Sequence, residues 1–434
     1  MDTGRRPPRA IGLAGATLLN LNAVVGAGIF ALPALLYAGA GSLAPLAIFA
    51  FAALTATSLA LFGKLSTLFN QSGGVQLYVE HALGRFAGFQ AGLGIIGANT
   101  AARAANFHVL VSYLAAIFPV FDDPVIRMAA ILALIASFTM IAISGTRRYI
   151  ATLWFGTALK LSPILLLCVA GLVMNGVPTT YIPPEFSQVE ATALLLAYAF
   201  SGGGAATISA GETKDPHRAI FQSMMINVAI VAALYTLVVL AYVAIAPSDA
   251  NADRPLASAA DAVFGPWGGI MISVAAIFSI ATGQLTYFVA MPRLLYGMGR
   301  RGLLTARLVR LSPRFDTPWV AIAVYGALVM ALAASGTFRT LATLMVAVES
   351  LLVLAGIASF IVVWQRNSGG IAATLGLRWA AMAAISTIFT IWLMLQLPAS
   401  AVIPTLGIIA FGAVAYLFAR SSAKDGEPIA IRPV

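Results

Sequence analysis

Val25-Gly26-Ala27-Gly28-Ile29-Phe30 interrupts the first long apolar stretch of the chain, and Ser201-Gly202-Gly203-Gly204 interrupts the sixth. An isolated glycine in a membrane helix often does no more than let a neighbouring helix come close. Here two clusters fall at the first and sixth stretches, which are corresponding positions of two five-helix halves. That placement points to an inverted-repeat architecture with discontinuous helices, whose unwound segments form a site near the bilayer midplane. Unwinding frees backbone groups. The half-helix that begins near Gly28 presents its positive dipole end, suited to a carboxylate, and the carbonyls freed before each break suit an ammonium group. A zwitterionic amino acid fits both.

The rest of the sequence agrees with a membrane setting. Apolar residues make up 60% of the 434 positions and Asp, Glu, Lys and Arg only 9%, whereas a soluble domain carries about a quarter charged residues. The apolar blocks run to about 20 residues, enough to cross a bilayer core. Only helices satisfy their backbone groups within one segment in lipid, and the alternating ten-residue pattern of a barrel is missing. Spans are expected near 11–38, 43–69, 86–118, 125–143, 149–174, 189–209, 222–246, 267–290, 318–335, 340–364, 378–397 and 400–419. With both termini cytoplasmic, twenty of the 25 Lys and Arg residues fall on the cytoplasmic side. Arg127, Arg254 and Arg339 fall opposite, and Arg103 and Lys160 lie within spans. The net charge of +10 is therefore topological and gives no support to nucleic-acid binding. The first apolar stretch is too long for a cleaved signal peptide. Cys168 is the lone cysteine, and His81, His108 and His217 are far apart, so disulfides, metal centres and cofactors are not expected. A membrane-embedded enzyme would need converging His, Asp or Glu residues, and there are none.

At the first break, Val25-Gly26-Ala27-Gly28-Ile29-Phe30-Ala31-Leu32-Pro33 resembles the glycine-rich segment of the amino acid–polyamine–organocation (APC) superfamily. Ser72-Gly73-Gly74-Val75-Gln76-Leu77-Tyr78-Val79 with Ala82-Leu83-Gly84-Arg85 is similar to that family's motif after the second helix. Ala199-Phe200-Ser201-Gly202 leading into Ala210-Gly211-Glu212-Thr213-Lys214-Asp215-Pro216 is family-like, as are Arg293-Leu294-Leu295-Tyr296 and Gly302-Leu303-Leu304. The resemblance implies an all-α permease of the LeuT-type fold. Two inverted repeats, 11–174 and 189–364, would be followed by peripheral helices at 378–419, with cytoplasmic ends at 1–10 and 420–434. It implies substrate contacts from Val24, Gly26, Ala27 and Gly28, with Phe200, Ser201 and Gly202 opposite, and an aromatic gate at Tyr198 or Phe200. One departure is Gly203-Gly204, where the family commonly has a bulky and an acidic residue. A cationic substrate is then disfavoured, and a larger neutral side chain is expected.

Lys160, Arg103 and Glu349 stand deep inside their spans. Lys160, in Ala158-Leu159-Lys160-Leu161-Ser162-Pro163, costs about 2.5–3.5 kcal/mol at a helix centre, so it faces protein or a water-filled cavity. Resemblance implies that it occupies the place where sodium-coupled relatives bind sodium, which predicts sodium-independent transport; proton carriage is its second candidate role. Asn99, Arg103 and Asn106 share one face of the third span at i, i+4, i+7 spacing. Glu349 stands in an apolar run of the tenth. Arg103 and Glu349 are structural ion-pair members, conceivably with each other, or a substrate contact and a protonatable gate. His108 and Gln284 are expected in helix–helix hydrogen bonds, and Glu212, Lys214, Asp215 and Arg218 in a cytoplasmic hinge network.

The expectation is a secondary transporter of neutral amino acids in a cell inner membrane. It would work by sodium-independent, proton-coupled symport or exchange, with lipid around it and no obligate protein partner. An exporter or antiporter of amines is the alternative within transport. A non-transporting sensor is the alternative outside it, though a chain ending at Val434 leaves little room for a signalling domain.

Overall fold

The computed structural model describes residues 12–69, 74–145, 149–178, 186–202, 216–247, 251–368 and 376–420. Every regular element among them is helical. The first span is two helices, Leu13–Val24 and Ala27–Ala40, separated at Val25-Gly26. The second to fifth are Ala44–Ser66, Arg85–Ile117, Pro124–Ser144 and Tyr149–Asn175. The sixth opens with Phe186–Ala199, and the seventh and eighth are Pro216–Ile245 and Pro266–Arg300. Trp319–Ser335 and Phe338–Ser368 are the ninth and tenth; Leu377–Leu395 and Ala399–Arg420 complete the series.

Eight stretches of the described residues are long and apolar enough to cross a membrane, and one of them, Ala27–Ser66, holds two helices. The remaining spans miss that standard for visible reasons. Leu13–Val24 stops at the first break and Trp319–Ser335 is short. Phe186–Ala199 stops at the second break. Arg85–Ile117 is long, but Asn99, Arg103, Asn106 and His108 lower its apolarity.

Span pairing follows the repeat. The second span packs on the seventh, the third on the eighth, the fourth on the ninth, and the first on the sixth, each element meeting the one five places on. Small residues make two of these crossings close. A Cβ on Gly63 would come within 2.7 Å of the Phe221 ring, and one on Gly326 within 2.3 Å of the Thr139 hydroxyl. Bare backbone at such crossings lets helices approach where lipid offers no hydrophobic drive to hold them together.

Two segments expected as loops contain helices. Val75–Leu83 buries Gln76, Leu77, Tyr78, Val79 and Ala82, and Pro255–Phe264 buries Leu256, Ala257, Ala259 and Ala260. Each is an apolar stripe too short to span. Charges assigned to the same side of the membrane meet one another: Arg127 pairs with Asp253 at 3.2 Å and Arg254 with Asp122 at 3.6 Å. On the other side Arg301 pairs with Glu80 at 2.7 Å.

Candidate functional site

The first break is local in cause. After Val24 the chain leaves helical geometry at Val25 (φ −75°, ψ 79°) and Gly26 (φ −124°, ψ −135°), then re-enters it at Ala27. Among the described residues no side chain caps the new helix at Gly26, and unpaired N–H groups at a helix start are receptive to an anion. The carbonyls released before the break are taken up by other spans. The Tyr235 hydroxyl of the seventh span donates to Val24 O at 3.0 Å. Lys160 Nζ of the fifth span donates to Val25 O at 3.0 Å and to Asn22 Oδ1 at 2.9 Å. Lys160 is only 1% exposed, and these two acceptors hold its head group inside the fold. Asn22 is fixed in turn by its amide, which donates to Thr157 Oγ1 and Leu18 O, both at 2.9 Å.

The second break faces the first. Beyond Ala199 the chain turns, with Ser201 N and Ser201 Oγ both donating to Tyr198 O at 3.2 and 2.8 Å. Gly202 then takes φ +90°, left-handed backbone that strains any residue with a Cβ. A Cβ there would also lie 3.1 Å from Ala23 O and 3.3 Å from the Tyr287 hydroxyl. Gly28 sits 3.5 Å, by the same measure, from the backbone of Ala199. Ala23, Gly26, Ser201 and Gly202 are partly exposed, whereas Val24, Ala27 and Gly28 are buried. The open surface between the breaks is thus largely backbone.

Of the remaining candidates, Tyr198 and Phe200 adjoin the second break. Tyr198 donates its hydroxyl to Asn106 Oδ1 and packs edge-on against Phe338. Phe200 lies 5.8 Å from the Tyr235 ring, so both aromatic gate candidates are buried at the breaks. Arg103 is 7% exposed and stacks its guanidinium over Tyr287, 4.0 Å from the ring centroid. Asn99, by contrast, turns its amide back onto Ile95 O of its own helix at 2.8 Å. Glu349 is partly buried and within electrostatic range of Tyr287. Among the described residues it forms no ion pair with Arg103 or any other base. Gln284 donates to Arg103 O at 2.8 Å and His108 Nε2 lies 3.0 Å from Ala333 O, the helix–helix bonds expected of them. Glu212, Lys214 and Asp215 of the anticipated hinge network, and Gly203-Gly204, lie outside the described residues. Among the described residues no His, Cys, Asp and Glu group could hold a metal.

Sequence reasoning missed Asn22, Thr157, Tyr235 and Tyr287. Asn22, a polar residue four positions before Gly26 in an apolar helix, carried a usable signal. The two tyrosines did not, since an aromatic in a span usually packs.

Residues 11–419 match the amino acid permease family. The chain belongs to that family. This permease is 28% identical over 346 residues to an uncharacterized transporter of Mycobacterium tuberculosis, spanning 76% of this chain and 75% of that protein. It is similarly 28% identical over 345 residues to the serine/threonine exchanger of Bacillus subtilis, spanning 74% and 76%. The cadaverine/lysine antiporter of Escherichia coli is 27% identical over 285 residues, 63% of each chain. The permease is a multi-pass membrane transporter of the APC superfamily.

Proposed function

We propose that this permease moves neutral amino acids across a cell inner membrane without sodium, by alternating access, as a proton symporter or an exchanger. The observation that carries this reading is the bond from Lys160 to Val25 O. A fixed ammonium there supplies the positive charge that a bound cation would bring to the carbonyls of a broken helix. The substrate carboxylate meets the uncapped start of Ala27–Ala40, and its amine meets carbonyls of both breaks. Residues 11–174 and 189–364 act as the two repeats, with Tyr198 and Phe200 closing the cleft. Both termini are cytoplasmic, following the basic side chains. Protons and membrane lipid are the other partners in this reading.

Uptake of a radiolabelled neutral amino-acid panel into proteoliposomes tests it, with the pH gradient and the internal amino acid varied separately. Flux is expected to rise with an inward proton gradient or with a preloaded amino acid. Absence of flux for every amino acid would overturn the reading.

An antiporter of amines is the second reading. It draws on Glu349, a carboxylate in the tenth span that no base among the described residues neutralises. Preference for diamines over zwitterions in the same vesicles would favour it.

A further inference from the structure

Arg103 is unusual among the buried cations of this fold. Its Nε is sealed from solvent and has no hydrogen-bond partner. Among the described residues its terminal nitrogens have no protein acceptor either, yet they are not sealed in the same way. Its one strong contact is the Tyr287 ring. Such a cation–π contact offsets only part of the cost of taking a guanidinium out of water. The position is held from behind, because Gln284 of the eighth span anchors the Arg103 main chain. One turn further on, Asn106 anchors Tyr198. The same Tyr287 whose ring carries Arg103 has its hydroxyl at Gly202. A backbone-recognition site and an unsatisfied donor-only group are therefore joined through one tyrosine.

We infer that Arg103 is the specificity residue for the substrate side chain, selecting uncharged amino acids that carry an oxygen acceptor, a hydroxyl or a carboxamide, over aliphatic ones of the same shape. This rests on the amino-acid reading above and deepens it. Guanidinium has five donors and no acceptor, so it recognises oxygen and repels amine or guanidino side chains. A hydrocarbon in the same place would leave the buried donors unmet, the situation in which polar sites discriminate most strongly. The restriction to uncharged side chains comes from the amino-acid reading above; within it, the guanidinium separates oxygen from hydrocarbon.

Matched pairs test the inference in proteoliposomes of the full chain: threonine against valine, asparagine against leucine, and asparagine against aspartate. The wild type is expected to prefer the oxygen-bearing neutral member of each pair by about tenfold or more, the scale of a hydrogen bond to a charged group. In Arg103→Gln the threonine-to-valine ratio should fall toward one, and Arg103→Lys should retain part of it. Equal or aliphatic-favouring rates in the wild type would overturn the inference even if neither variant folds. So would a folded Arg103→Gln with an unchanged ratio, or aspartate transported ahead of asparagine. Loss of flux for every amino acid in the wild type contradicts the amino-acid reading itself, whereas valine and leucine flux with no oxygen preference contradicts Arg103 alone.

Discussion

Lys160 Nζ in the middle of the fifth span lies 3.0 Å from the carbonyl oxygen of Val25, the residue at which the first span unwinds. Asn22 Oδ1, one turn earlier, accepts from the same nitrogen at 2.9 Å. A buried side chain of the fifth span thus bonds the break directly, beside the Asn22–Thr157 bond one turn earlier. Any movement of the first span against the fifth has to break or carry that bond.

Replacing Lys160 by alanine removes the charged donor from two buried acceptors, leaving Val25 O only the Ser279 hydroxyl at 3.5 Å and Asn22 Oδ1 the Thr157 hydroxyl at 3.3 Å; losing a bond to a charged group costs about 1–3 kcal/mol. Transport by Lys160→Ala is expected to fall more than tenfold, with a lower melting temperature in detergent. Uptake assays and thermal unfolding followed in parallel check this, and wild-type flux in the variant would refute it.

Gly26 and Gly202 should respond differently to alanine. At Gly202 the backbone is left-handed and Ala23 O is in the way, so Gly202→Ala strains the fold by about 1–3 kcal/mol and lowers thermal stability. Gly26 has ordinary φ, and among the described residues the only neighbour within 4 Å of an added Cβ is Asn106 Nδ2 at 3.9 Å. Gly26→Ala is expected to keep its melting temperature and raise KM, because the methyl group enters the cleft. Unfolding curves and uptake kinetics on both variants separate the two effects.

The Glu80–Arg301 ion pair joins the short helix Val75–Leu83 to the C-terminal end of the eighth span. Glu80 is largely enclosed and Arg301 about one-third exposed, so the pair contributes about 1 kcal/mol or less. Glu80→Ala and Arg301→Ala should each lower stability modestly, and the double variant by less than their sum. Strict additivity in the double-mutant cycle would show that the pair contributes nothing.

His81, on the short helix Val75–Leu83, gives the fold an acid sensitivity. Burial, and then the nearby positive charge of Arg366, hold its pKa below the usual histidine range. Its folded form therefore binds a proton less readily than its unfolded form. The associated stability is full above the ordinary histidine pKa of about 6.5 and is lost as pH falls through that value toward the depressed one. A His81→Gln variant is expected to lose less stability than the wild type between neutral and mildly acidic pH. Parallel pH profiles for the two proteins would remove His81 from the account.

Most of the fold could be read from the sequence because its determinants are local. Apolar length gives the spans, and the glycines at 26 and 202 mark where helices must open. The short helices Val75–Leu83 and Pro255–Phe264 escaped because an apolar stripe of nine or ten residues is not distinguished from a buried loop by hydropathy. At the site, Lys160 and Arg103 stood out because charge inside a span demands a partner, but the sequence holds no information on which partner. Lys160 found the break. Arg103 and Glu349 did not find each other: Arg103 settled on Tyr287, a contact between the third and eighth spans that only tertiary packing creates. Asn99 shares a helical face with Arg103 by spacing, yet satisfies its amide within its own helix, which periodicity alone does not reveal.

The most direct measurement is the initial rate of neutral amino-acid uptake into proteoliposomes at fixed pH, with external sodium replaced completely by choline. If the Lys160 ammonium stands in for a bound cation at the first-span break, the wild-type rate is unchanged by the replacement. A rate that collapses without sodium would contradict that role for Lys160.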